Sequence, residues 1–250
     1  MNTGAFGETR DSLTIRWTVR PERFVRILLI IASGLLIASL TGQAIRFATG
    51  DGHLWGFTPK FNLDAEMNVP TWFASFLFLL AALLLVRVGA TEEKRGRGGA
   101  RRRWHSLALV FLLCSIDEVA AIHEMLVDPV RKAFHAGGLL YFSWVIPGIA
   151  LVVFLAAVYG PLFLRLPAEL RWNFVAAAVV FLAGTLGMEM LGGAYVQRHG
   201  PDHFAYALLA NTEEFLEMLG QIIFIKALLA LLEARGAVEH VAAAGRMKGG

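Results

Sequence analysis

Charged residues are so sparse along this chain that the uncharged runs between them define its elements. Nineteen residues separate Arg26 from Arg46 and twenty separate Glu66 from Arg87, none of them charged. A hydrocarbon core about 30 Å thick takes about 20 helical residues to cross, so both runs predict transmembrane helices. A further uncharged stretch of twenty-nine residues, Ala136 to Leu164, contains Pro147 and Gly148 and can cross with a tilt or a kink. Three more apolar segments carry acids: Trp104 to Val127 holds Asp117, Glu118 and Glu124, Trp172 to Val196 holds Glu189, and Phe204 to Leu232 holds Glu213, Glu214 and Glu217. The pattern predicts an all-α polytopic membrane protein, a bundle of six transmembrane helices at about residues 24–46, 68–88, 104–127, 139–165, 171–195 and 205–232. Residues 1–23 form a basic tail before them, and residues 234–250 a loose tail after them.

Composition agrees with that reading. The 250 residues are 56% hydrophobic and 17% charged, whereas a soluble domain carries about 25% charged residues. A soluble monomer, a disordered chain and a collagen-like chain are all excluded. The single cysteine, Cys114, can form neither an internal disulfide nor a cysteine-rich zinc site.

Charge sets the expected orientation. Arg10, Arg16, Arg20, Arg23 and Arg26 precede the first span, Lys94 to Arg103 follow the second, and Arg165 and Arg171 follow the fourth. All three clusters fall on one side, which the positive-inside bias makes cytoplasmic together with both termini. The basic run to Arg103 adjoins a span and lacks the interleaved aromatics that stack bases, so it reads as a membrane flank with no nucleic-acid partner. The first span exceeds a signal peptide's apolar region of about 7 to 15 residues and is read as uncleaved.

The acids within the spans need a physical account, because an ionised carboxylate at mid-bilayer costs about 2.5 to 3.5 kcal/mol on the insertion scale. Basic partners inside the spans are limited to His105, His123 and Lys226. At about 1.5 Å per residue, Asp117 lies roughly 20 Å and Glu189 roughly 26 Å from the cytoplasmic side, and Glu213 roughly 14 Å from the other, so three helices carry carboxylates in the outer half. On an unbroken helix Asp117 and Glu124 fall within about 20° of each other, and Glu213, Glu214, Glu217 and Gln221 form one polar stripe. The third, fifth and sixth spans are therefore expected to be mutual neighbours, with the first and fourth more exposed to lipid. Met188, Met190 and Met218, the glycines of the fifth span, and Cys114 read as packing residues.

Asp117, Glu118, His123, Glu124, Glu189, Glu213, Glu214 and Glu217 thus form a candidate site for a divalent metal cation or for protons. Carboxylates with one histidine suit hard ions such as Mg²⁺, Mn²⁺ or Ca²⁺. Transport or sensing is the leading expectation. A carboxylate-ligated intramembrane metalloenzyme is an alternative, with one acid acting as base on metal-bound water, although the paired Glu-x-x-His motifs of dimetal bundles are missing and one histidine does not make a three-histidine zinc site. A structural subunit whose acids only fix helix register is the other alternative.

Leu63-Asp64-Ala65-Glu66 with Pro70-Thr71-Trp72-Phe73, then Asp117-Glu118-x4-His123-Glu124, then Glu213-Glu214-x2-Glu217-Met218-x-Gly220 together resemble a widespread group of uncharacterised bacterial multi-pass membrane proteins. The resemblance covers most of residues 55 to 232. It implies a bacterial inner-membrane location and a shared polar centre, and carries no mechanism. It also draws Glu66 in as a cap over the cluster, with Trp72 as an interfacial anchor beside it.

The loop charges generate a topology test. In a Cys114→Ser background, cysteines at Ala100 and Ala244 should react with a membrane-impermeant reagent only from the cytoplasm, and cysteines at Gly56 and Gly200 only from outside. Outside labelling at Ala100 would overturn the orientation.

Overall fold

A computed structural model describes residues 20–248. Arg10 and Arg16 of the basic tail lie outside the described residues, as do 249–250 of the C-terminal tail. The described chain is helical without strands. Its α-helices are α1 (Pro21–Thr49), α2 (Phe57–Phe61), α3 (Val69–Lys94), α4 (Gly98–Ala120), α5 (Val127–Phe134), α6 (Val145–Leu164), α7 (Ala168–Leu182), α8 (Glu189–His199) and α9 (Phe204–Lys248). Short 3₁₀ turns at Leu54–Gly56, His123–Leu126 and Gly138–Leu140 and a π-helical turn at Ala183–Met188 join them.

Five helices are long and apolar enough to cross a membrane: α1, α3, α6, the run Ala168–His199 and α9. Six result if α4 and its bent continuation count as one span. These lengths and compositions suggest a multi-pass membrane protein.

The centre of the bundle is α3. Leu77, Ala81, Leu85 and Val88 are wholly buried, and their spacing of three and four places them on one helical face. Against that helix pack α4, most extensively, and α9, which in turn holds α1 and α7. Ser75 and Ser115 clamp α3 to α4 by reciprocal hydrogen bonds, each hydroxyl donating to the other's carbonyl at 2.7 and 2.9 Å. At the end that carries the basic loops, Arg235 of α9 pairs with the buried Glu92 of α3 and donates to Val88 O at 2.9 Å and Thr91 Oγ1 at 2.7 Å. The indole of Trp104 lies 5.7 Å from its guanidinium. A buried charge is tolerable only when paired and hydrogen-bonded, and this one is both.

The structure corrects several sequence-based expectations. The third span does not run straight to Val127: it stops at Ala120, turns through the left-handed Ala121 (φ 47°), and continues into residues 123–134 at an angle of 78°. The His123 N–H is taken by the Asp117 carboxylate instead of a backbone carbonyl, so the α-ladder does not continue through that turn. The fourth span begins at Val145, not near 139, because the preceding segment clips back onto α5. Ser143 Oγ donates to Val127 O at 2.5 Å, and Arg131 Nε donates to Tyr141 O at 2.9 Å. The last helix continues beyond 232 to Lys248, through the segment expected to be loose.

Neighbours also differ in part. The fifth and sixth spans pack closely, but the third pairs mainly with the second and reaches the sixth through the stacked rings of Phe111 and Phe224, 4.7 Å apart. The first span, packed along α9, has 28% of its apolar window buried, against 17% for both the fourth and the fifth. The fifth, not the first, therefore joins the fourth as the most exposed.

Two glycines set the contact between the fifth and sixth spans. A Cβ on Gly184 would stand 2.7 Å from Glu213 O, and one on Gly220 would stand 2.6 Å from Phe181 N. Both obstacles are backbone and cannot rotate away. Gly220→Ala should therefore lower the melting temperature of the detergent-solubilised protein, at a cost of about 1 to 3 kcal/mol for overpacking. Gly34→Ala, with nothing within 4 Å of the new methyl group, should leave melting unchanged or raise it. Equal melting of the two variants would refute the tight contact.

Candidate functional site

The acids gather at the end of the bundle opposite the Arg235–Glu92 pair. On α4, Asp117 lies in the last turn. Its Oδ1 accepts the backbone N–H of His123 and its Oδ2 meets His123 Nδ1, both at 2.9 Å. This two-point contact closes the turn after Ala121, so one carboxylate both caps the helix and aims the imidazole. The ring of His123 meets the Trp144 ring edge-on at 4.9 Å. Trp144 Nε1 in turn donates to Glu189 Oε1 at 2.5 Å. A chain of contacts thus links Asp117 through His123 and Trp144 to Glu189.

The second part of the site comes from the π-turn and α9. An extra residue per turn widens the helix at Ala183–Met188, and such bulges collect at functional sites. Here the turn brings Gly184 against the backbone of Glu213 and Glu217 and sets Thr185 beside the Glu217 carboxyl. The Glu189 and Glu213 carboxyls face each other closely enough to act directly on one another. Glu217 is the charged group acting most strongly on Glu118 across the gap to α4. Glu214 lies within the electrostatic reach of Glu217, Glu118, Asp64 and Glu66. Glu118, Thr185, Glu189, Glu213, Glu214 and Glu217 are half-buried, with Asp64 and Glu66 exposed beside them, so together they line a cleft.

A strap over the cleft forms the third part. Residues 62–68 are pinned to α1: Leu63 N–H donates to Ser39 Oγ at 3.0 Å and Gln43 Nε2 donates to Asn62 Oδ1 at 2.7 Å. Asn68 ties the strap's end, donating to Asn62 O and Ala65 O while its Oδ1 accepts the Thr71 N–H and caps α3. Asp64, fixed by this frame, accepts from Tyr206 Oη at 3.2 Å. Partial burial raises the Glu66 carboxyl from its ordinary value, and the charges of Glu124 and Asp117 add to the rise while His123 opposes it. Trp72 is 65% exposed on the outer surface of α3, where an indole suits a membrane interface.

The structure therefore brings Asp117 against His123, Glu189 against Glu213, and Glu118, Glu214, Glu217 and Glu66 into one electrostatic neighbourhood. Glu124 is exposed at the rim, and its expected alignment with Asp117 is lost because the helix breaks between them. Asp64, Trp144, Thr185 and Tyr206 were missed from the sequence. Asp64 stood in a quoted stretch two residues from Glu66, but the others become visible only once the π-turn and the clipped loop are known. Among the described residues, no three His, Cys, Asp or Glu side chains are placed to hold a metal ion together.

Carboxyl groups clustered beside an imidazole are groups able to take up and release protons, while the indole N–H of Trp144 serves only as a hydrogen-bond donor. Comparison with known proteins supplies a family without an activity: residues 23–232 match the family model described as Domain of unknown function (DUF8692), and the chain belongs to that family. No curated protein and no solved structure matches it.

Asp64 generates a pH test. Burial among the helix ends pushes its carboxyl up from 3.8 to about 6, against the Tyr206 hydrogen bond and with help from Glu189 and Glu124. The folded state then holds this proton more tightly than the unfolded chain, so the contribution to stability is full below 3.8 and is lost as pH rises through about 6. Asp64→Asn, which keeps an acceptor for Tyr206, should flatten that part of the melting-temperature profile and melt above wild type at neutral pH. Parallel profiles for the two proteins would show that Asp64 is solvated like an ordinary surface acid.

Proposed function

We propose that this is a multi-pass protein of the bacterial inner membrane, with both termini cytoplasmic, whose acid-lined cleft opens to the outer aqueous phase and binds and exchanges protons as the input site of a transporter or sensor. The carboxyl contact between Glu189 and Glu213 carries the reading. Two carboxylates facing each other in a poorly solvated site repel when both are ionised, which favours a proton held between them. Trp144 satisfies a second lone pair of Glu189 and so fixes the oxygen that accepts. Glu217, Glu214 and Glu118 continue the carboxyl layer, and Asp117 holds His123 where it can exchange a proton with water at the rim.

A divalent cation is the second reading, favoured by the oxygen-only character of Glu118, Glu214, Glu217 and Glu66. These four would have to draw together around a hard ion, with His123 at the edge, and binding would release the protons they hold.

Infrared difference spectra of the reconstituted protein between about pH 5 and about pH 8 test both readings. The expected result is a protonated carboxylic acid band at neutral pH that disappears in Glu189→Gln and in Glu213→Gln. Added Mn²⁺ or Mg²⁺ should reduce the band only if the cation reading holds. A wild-type spectrum without such a band, and indifferent to both substitutions, would leave the acids as structural groups.

A further inference from the structure

An apolar space lies below the acids, and the Glu189–Glu213 chemistry makes no use of it. A crevice of about 490 Å³ separates α6 from α4, α7 and α9, within the size range of about 300–1,000 Å³ of small-molecule sites. Phe111, Phe174, Phe181 and Phe224 form its inner wall, and Ala156 and Gly160 of α6 form its outer one. It is not sealed. Helix α6 touches α4 and α7 only lightly, and two lining residues, Leu164 and Val175, remain 65% and 39% exposed. An opening between two membrane-exposed helices faces lipid, so the natural entrant is a molecule dissolved in the bilayer.

The two ends of the crevice differ. Its upper end stops at Cys114 and Gly220, one turn short of Asp117 and Glu217. Its lower end carries Arg171. Among the described residues no carboxylate pairs with this guanidinium. It makes a long 3.4 Å bond to Leu164 O and lies 5.9 Å from the Trp172 ring. From Arg171 to Phe181 the helix rises about 15 Å, half of a hydrocarbon core about 30 Å thick. A cation at headgroup level below an apolar slot one leaflet deep complements an anionic lipid.

We propose that this crevice binds an anionic phospholipid of the leaflet on the basic side, its phosphate on Arg171 and one acyl chain running up between α6 and the phenylalanine wall toward Cys114. The chain fills the space that the loosely packed α6 leaves open and ties that helix to the rest of the bundle. The proposal rests on the membrane reading above and is independent of the proton site.

The test uses the full-length protein, delipidated in detergent and then offered phosphatidylglycerol, phosphatidylcholine of the same chains, or palmitate, with bound lipid counted by native mass spectrometry. Wild type should retain one phosphatidylglycerol in preference to phosphatidylcholine, and palmitate should not displace it at equal concentration. Arg171→Gln should cut the preference about fivefold, the worth of one arginine near an anionic headgroup. Gly160→Leu should abolish retention by filling the slot. A Cβ there meets nothing within 4 Å, so the variant should fold, and Ala156→Leu serves as an independent filling variant. Equal retention of the two phospholipids, displacement by palmitate, or a preference unchanged by all three variants would overturn the proposal. The carboxylic acid infrared band should persist in Gly160→Leu, so loss of lipid binding with the band intact, or the reverse, separates this inference from the proton reading.

Discussion

Two backbones touching at Gly184 and Gly220 set the geometry on which the acidic layer depends. Helices whose axes approach this closely must have hydrogen in place of a side chain at the crossing. The contact also fixes register: with Gly184 seated on Glu213 O, the next turns of the fifth span are carried past the first turns of α9, where the other acids lie. The π-turn adds a rotation to that translation. One extra residue in the turn sets every later residue back by about 100° relative to a regular helix. Glu189, the first residue after the turn, therefore owes its direction to the bulge. A regular helix through Ala183–Met188 would aim Glu189 elsewhere and leave Glu213 without its neighbour.

Around that contact, each part of the acidic end is held by a polar bond that a membrane interior makes strong. Asp117 closes the break in the third span, the Asn62–Asn68 frame carries Asp64 and Glu66, and Trp144 is brought over Glu189 by the Ser143 bond to Val127 O. The helix break, the strap and the clipped loop are irregular backbone, which is stable only where its polar groups are satisfied, and these side chains satisfy them.

The spans were legible in the sequence because a charge-free run of about 20 residues has few other physical readings. The acids were legible for the same reason, as costly exceptions within those runs. Their neighbours were less so. Helical phase treats a span as a straight cylinder, and the argument joining Asp117 to Glu124 failed at Ala121, where one left-handed residue resets the direction. The role of α3 was hidden as well: it is apolar on every face, and nothing in its own sequence distinguishes a central helix from a lipid-facing one. The Ser75–Ser115 clamp that marks it as central needs both helices to be seen. Nothing in the sequence marks Trp144 and Tyr206 until the fold brings each against a carboxyl.

The two ends of the bundle differ in how they handle charge, and the difference bears on direction. At the basic end Arg235 and Glu92 are sealed as a pair, with side chains 7% and 5% exposed, whereas Glu118, Glu189, Glu213, Glu214 and Glu217 at the other end are half-open and pair with no Lys or Arg among the described residues. Between them α9 presents Met218, Ile222 and Ile225 to the core, all at most 1% exposed. Gln221, also on α9, is buried with neither amide atom partnered. On the proposed reading, a proton held in the carboxyl layer would meet an apolar barrier on one side and the open cleft on the other, and in this conformation would return the way it came. Passage across the membrane would require the phenylalanine-lined seam beside Gln221 to admit water, and the weak hold of α6 on its neighbours makes that helix the element free to move. A lipid chain seated under α6 would oppose the movement, which places control of the path in the same crevice that separates the acids from the basic end.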